Sequence, residues 1–80
     1  MPRFAYLIQR ADTEDRMSTG VITAGPDPDT ADLATDLVQR NRADHSYYPG
    51  PRTCWIWPHD GQQSLTRLES APAGAARHDL

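Results

Sequence analysis

The sequence has a single cysteine and no lysine among its 80 residues. One cysteine excludes an internal disulfide, so no such crosslink staples a chain whose core supplies stability on the order of 5 kcal/mol. No apolar run is long enough to cross a bilayer, and no charged-then-apolar segment opens the chain, so a soluble, cytoplasmic protein from a reducing compartment with no membrane partner is expected. All eight basic residues are arginine, which fits a GC-rich coding sequence better than a function. A glycine-rich phosphate loop is also missing: Gly20, Gly25, Gly50, Gly61 and Gly74 are scattered beside turns and strand ends.

Positive charge is scarce overall, and the net charge of -3 argues against a general nucleic-acid binder, whose affinity comes mostly from neutralising phosphates. The charges are unevenly placed. Residues 12–36 hold seven acidic residues against Arg16 alone, while residues 38–59 hold Arg40, Arg42 and Arg52 against Asp44. Much of this gradient is ordinary helix complementation, with acids near the N-terminus and bases in the last turn.

Residues 3–10, RFAYLIQR, alternate Phe4, Tyr6 and Ile8 with Ala5 and Leu7. Apolar groups on both faces at period two predict a central strand. TGVITA, residues 19–24, predicts a second strand after a polar loop. GPDPDT opens a helix, with Asp27 as cap and Pro28 at the first helical position. Leu33, Ala34, Leu37, Val38 and Asn41 form its stripe at helical spacing. ADHSYYPGP, residues 43–51, is a connection, because Pro49 and Pro51 flank Gly50. TCWIWP predicts a third strand, Asp60-Gly61 a tight hairpin turn, and residues 64–70 a fourth strand. Residues 70–80 are small, polar and aperiodic, which predicts a disordered tail after a single domain over 1–69.

The expected architecture is therefore α+β in the order β-β-α-β-β, a four-stranded, mostly antiparallel sheet with one helix on one face. The arrangement is analogous to β-grasp and protein-G-like domains.

Four of the six aromatic residues fall in 47–57 beside Cys54, and this stretch decides the functional reading. A two-residue turn at Asp60-Gly61 would set Trp55 opposite Thr66 and Cys54 opposite Arg67, with Trp55 and Trp57 on one face and Cys54 and Ile56 on the other. Two placements compete. In the favoured one the indoles meet the helix, because rings of this area dominate small cores. In the other, Cys54 and Ile56 meet the helix and the indoles form an outward patch with Tyr47, Tyr48 and Arg52.

Catalysis has little to stand on. Cys54 and His59 are five residues apart and point to opposite faces of a strand, out of reach of a dyad. His45, Cys54 and His59 match no zinc spacing, and the acidic residues 12–15 lie in a loop with nothing to raise a pKa. No catalytic residue, metal ligand or cofactor is expected. The reading is a non-enzymatic interaction or dimerisation module acting as a regulator, inhibitor or adaptor. Its partner is a protein or a second copy, held by Tyr47, Tyr48, Arg52, Trp55 and Trp57. The alternative is a small nucleic-acid-binding transcriptional accessory, in which Arg40, Arg42 and Arg52 hold phosphates.

Overall fold

The computed structural model describes residues 2–59 and 70–80. Their elements are β1 (Arg3–Arg10), β2 (Arg16–Thr23), α1 (Thr30–Asp44), β3 (Arg52–Pro58) and β4 (Ala76–Asp79). The strands form one sheet in the order β2-β1-β3-β4, and every pairing is antiparallel. With α1 packed on one face, this is the α+β class expected. The β-grasp analogy is not established by this strand order.

β1 is central, as its two apolar faces predict: Ala5, Leu7 and Ile8 are buried, with β2 along one edge and β3 along the other. β2 starts three residues before the expected strand. Arg16, Met17 and Ser18 look like loop by composition, but pairing with Gln9 and Ile8 carries them into the sheet across a register irregularity. The turn between the strands is held by hydrogen bonds from Arg10 N to Asp15 O and from Glu14 N to Arg10 O, with Glu14 at a positive φ of 61°.

The helix begins two residues later than expected. Asp29, not Asp27, is the cap: its backbone is extended and its carboxylate accepts from Ala31 N at 2.9 Å. Asp27 sits at φ 52° in the preceding bend, so it turns the chain toward the helix instead of capping it. The predicted stripe holds, with Ala34, Leu37, Val38 and Asn41 buried and Leu33 packed at its margin.

Alternation along β3 separates Cys54 and Ile56 from Trp55 and Trp57 as expected, but the favoured facing is reversed. Cys54 and Ile56 join Ile8, Ala34, Leu37 and Val38 beneath the helix. Trp57 lies on the other face with Ala5 and Leu7, and Trp55, Ala71 and Ala75 pack against them. The register explains the choice. Trp57 is paired with the small Ala5 and Trp55 with Leu7, which leaves room for the indoles there, while small and medium side chains let α1 approach the opposite face closely.

A second correction concerns the C-terminus. Residues 76–79, expected to be disordered, form β4 and pair Asp79, His78, Arg77 and Ala76 with Thr53 to Ile56. Four short polar residues give no periodic signal alone, and it is the free edge of β3 that orders them. The expected turn at Asp60-Gly61 and all but the last residue of the strand expected over 64–70 lie outside the described residues. β1 and β4 already occupy the two edges of β3 from Thr53 to Ile56. Deleting residues 75–80 therefore lowers the urea midpoint, where removal of a disordered tail leaves it unchanged.

Candidate functional site

The expected contact residues do not share one surface. Arg52, Cys54 and Ile56 alternate onto the helix side, whereas Trp55 and Trp57 lie on the other face. Trp57 is only 6% exposed. Trp55 is half-buried, donates its Nε1–H to Gln9 Oε1 at 2.9 Å, and lies under the Arg77 guanidinium. The indoles are thus neither beneath the helix nor an open patch, but part of a second small core. Of the five, Tyr47 alone is strongly exposed, at 74%, with its ring edge-on to His45.

Arg52, expected at a partner or a phosphate, is fully buried. Its Nε–H donates to Asn41 Oδ1 at 2.7 Å and Nη1 donates to Gly50 O at 2.7 Å. Nη2 donates to His45 O at 3.2 Å and Tyr48 O at 2.7 Å. A buried cation is tolerable only when fully hydrogen-bonded, and here neutral carbonyls at the negative end of α1 do that work. Burial, and then the neighbouring Arg42, lower its pKa from the ordinary value, yet a guanidinium stays protonated at any physiological pH.

The other two arginines of the phosphate-binding reading are also engaged. Arg42 donates to the carbonyls of Pro49, Gly50 and Leu80, and Arg40 pairs with Asp36 at 3.0 Å one turn back. Tyr48 lies between guanidiniums, with Arg10 at 4.2 Å and Arg52 at 5.0 Å from its ring centre. Arg10 itself is held by Asp12 at 2.9 Å, and this bond keeps the Asp12 carboxyl below its usual range. The arginine and tyrosine cluster therefore locks the 45–51 connection to the sheet and the helix end.

Cys54 is buried beneath α1, and desolvation pushes its thiol up to about 12. A thiol this neutral is a packing group, not a nucleophile. Among the described residues no cluster of three or more His, Cys, Asp or Glu side chains is disposed to hold a metal ion, and no helix is long and apolar enough to cross a membrane.

Two features of the helix side were not identified from sequence. Among the described residues, β2 pairs on one side only, so its outer edge is open. Because α1 packs over β3 and β4, a groove of about 320 Å³ remains between the helix and the β1–β2 half of the sheet. Tyr6, Ile8, Ile22 and Leu37 line it together with Asn41 and His45. The signal for the edge was present in the sequence: residues 17–26, MSTGVITAGP, contain no charge.

No protein-family model, curated protein or solved structure matches this chain.

Arg52→Met orphans Asn41 Oδ1 and Tyr48 O and takes one of two donors from Gly50 O and His45 O, and urea denaturation should show a loss of about 3 kcal/mol or more. The Cys54 thiol has its folded pKa raised above the ordinary 9.0, so the unfolded chain loses its proton first as pH rises. The thiol's contribution is accordingly complete below pH 9 and declines between pH 9 and about 12. Cys54→Ala should flatten that decline in a pH series of melts, and alkylation of wild-type Cys54 at pH 8 should proceed at the rate of unfolding.

Proposed function

We propose that the chain is a non-enzymatic protein-interaction module that self-associates through β2, two copies joining their sheets edge to edge. The observation that supports this reading is the outer edge of β2, which pairs with no other strand among the described residues. An unpaired strand presents a row of backbone donors and acceptors that template another strand, and monomeric proteins blunt such edges with lysine, proline, inward charge or a covering element. β2 has little of this. Arg16 is its only charged residue, proline is absent between Arg16 and Thr23, and the irregularity opposite Ile8 and Gln9 bends one end alone.

Antiparallel pairing of β2 with itself needs only a two-fold axis. With Gly20 on that axis, Thr19 faces Val21 of the second copy and Ser18 faces Ile22, so hydroxyl and β-branched side chains meet on both faces and no like charges oppose one another. Each isolated sheet would become half of an eight-stranded one, and backbone pairing would supply the affinity. The dense 47–57 stretch then serves to hold the sheet and helix together, leaving contact to β2. Phosphate binding draws little support from Arg42 and Arg52, whose guanidiniums bond within the chain, which leaves only the exposed Arg40, paired once with Asp36.

Sedimentation equilibrium tests the reading. Wild-type protein should sediment as a dimer at micromolar concentration. Val21→Lys, which places a charge on the edge, should weaken association by about tenfold or more while leaving the melting of the dissociated protein intact. A wild-type monomer at 100-fold higher concentration, or a Val21→Lys dimer as tight as wild type, overturns it.

A further inference from the structure

We propose that Tyr6, a residue of the inner strand β1, reaches the two-fold axis of the β2 dimer and sets its register, the tips of two Tyr6 rings meeting over two facing Gly20 residues. The inference rests on the edge pairing proposed above and starts from the glycine. Gly20 stands within β2 directly opposite Tyr6, where glycine costs strand stability and a β-branched residue would add to it. Its backbone does not require it. Among the described glycines only Gly74 has a positive φ, so residue 20 could carry a side chain without strain. Space is what requires it: a Cβ there would lie 2.9 Å from Tyr6 Oη and 3.1 Å from both Cζ and Cε1. Those atoms are the far end of the ring. The ring therefore crosses from β1 onto β2, and its hydroxyl lies over the outermost strand of the described sheet.

Aromatic cover of a glycine on a neighbouring strand supports a sheet by itself, but here the covered strand is the one that pairs. A two-fold axis normal to the sheet keeps like faces together, so each residue opposes one of its own parity, and the central registers place Thr19, Gly20 or Val21 on the axis. These three are not equivalent. With Thr19 on the axis Gly20 faces Ser18 of the second copy, and with Val21 there it faces Ile22, so the ring tip meets a side chain in both. With Gly20 on the axis two bare backbones face one another, and a strand spacing near 4.8 Å sets the two ring tips about 5 Å apart, within reach of an aromatic contact. Nothing on the other face competes with that choice. Thr19 Oγ1 donates to Tyr6 O at 2.8 Å, so this hydroxyl is satisfied before a second strand arrives. Backbone pairing supplies the affinity, and the Tyr6 and Gly20 pair supplies the register, since a slip to either neighbouring register parts the rings. A foreign strand brings no matching ring, which favours a second copy as the partner.

Photo-oxidation with a ruthenium complex and persulfate joins tyrosine rings that touch. In the wild-type dimer it should link Tyr6 to Tyr6, and digestion after arginine isolates the product, because residues 4–10 hold Tyr6 as their only tyrosine. Dilution to monomer should abolish the link. Gly20→Ala should displace the ring tip and weaken association about tenfold or more in sedimentation equilibrium, with the dissociated protein melting at or above wild type. Two facing alanines are ordinary sheet neighbours, so that loss reports the ring. A wild-type dimer without the Tyr6 link, or a Gly20→Ala dimer as tight as wild type, overturns this inference and leaves the edge pairing standing. A wild-type monomer overturns both. The link needs no variant, so a folding defect in Gly20→Ala leaves the proposal decidable.

Discussion

The buried guanidinium of Arg52 is the constraint on which the rest of this small domain depends. Its four hydrogen bonds reach the last turn of α1 through Asn41, the helix cap through His45 O, and the following connection through Tyr48 O and Gly50 O. Its own backbone joins the C-terminal strand, since Leu80 N donates to Arg52 O at 2.8 Å. Helix end, connection, central sheet and C-terminal segment therefore meet at one residue. An ion pair in that position would have to offset the desolvation of two charges. Carbonyls at the helix terminus solvate one charge, and the planar fork of arginine matches several acceptors at once where a lysine could not.

This anchoring has a geometric consequence. Arg52 opens β3, so tying the end of α1 to it draws the helix over β3 and β4, and Met17 and Ile22 of β2 meet the core beneath it only from the margin. The four strands form a sheet wider than one helix covers, and the shortfall falls on the β1–β2 half. The groove, and the β2 edge left unpaired among the described residues, are both products of that offset. In a domain whose apolar area is limited by its length, leaving one flank less covered withholds stabilising burial from the monomer, and a partner strand can recover it.

Period-two alternation in residues 3–10 and 53–58 was enough to place β1 in the centre and to separate Cys54 and Ile56 from the indoles. The helical stripe from Leu33 to Asn41 was equally readable, because these patterns are local and each follows from a single periodicity. Which face of β3 meets the helix is a different kind of question. It depends on the partner register, on Trp57 lying against Ala5 rather than a larger residue, and no local pattern carries that. Large rings usually dominate cores, and here they build one, but on the side where β1 is narrow. The last strand failed for the same reason: Ala76–Asp79 has no strand pattern of its own and is ordered by the edge it completes.

Arg52 exposes the limit most clearly. Read in sequence beside Tyr47, Tyr48 and Trp55, it has the composition of an interface anchor, and arginine among aromatics does favour surfaces. The same properties suit a buried joint, since a delocalised, weakly hydrated cation can stack on Tyr48 and bond to carbonyls at lower desolvation cost than an ammonium. Composition cannot separate the two uses; position in the strand can. Residue 52 shares parity with Cys54 and Ile56, so once those two lie beneath the helix the guanidinium must follow them inward. Its fork then needs acceptors, and the end of a helix is where unpaired carbonyls are found. Asn41, one turn before that end, supplies the remaining acceptor and in doing so turns its NH₂ away. The joint that closes the fold is thus built from one buried cation and the acceptors that a helix end leaves unpaired.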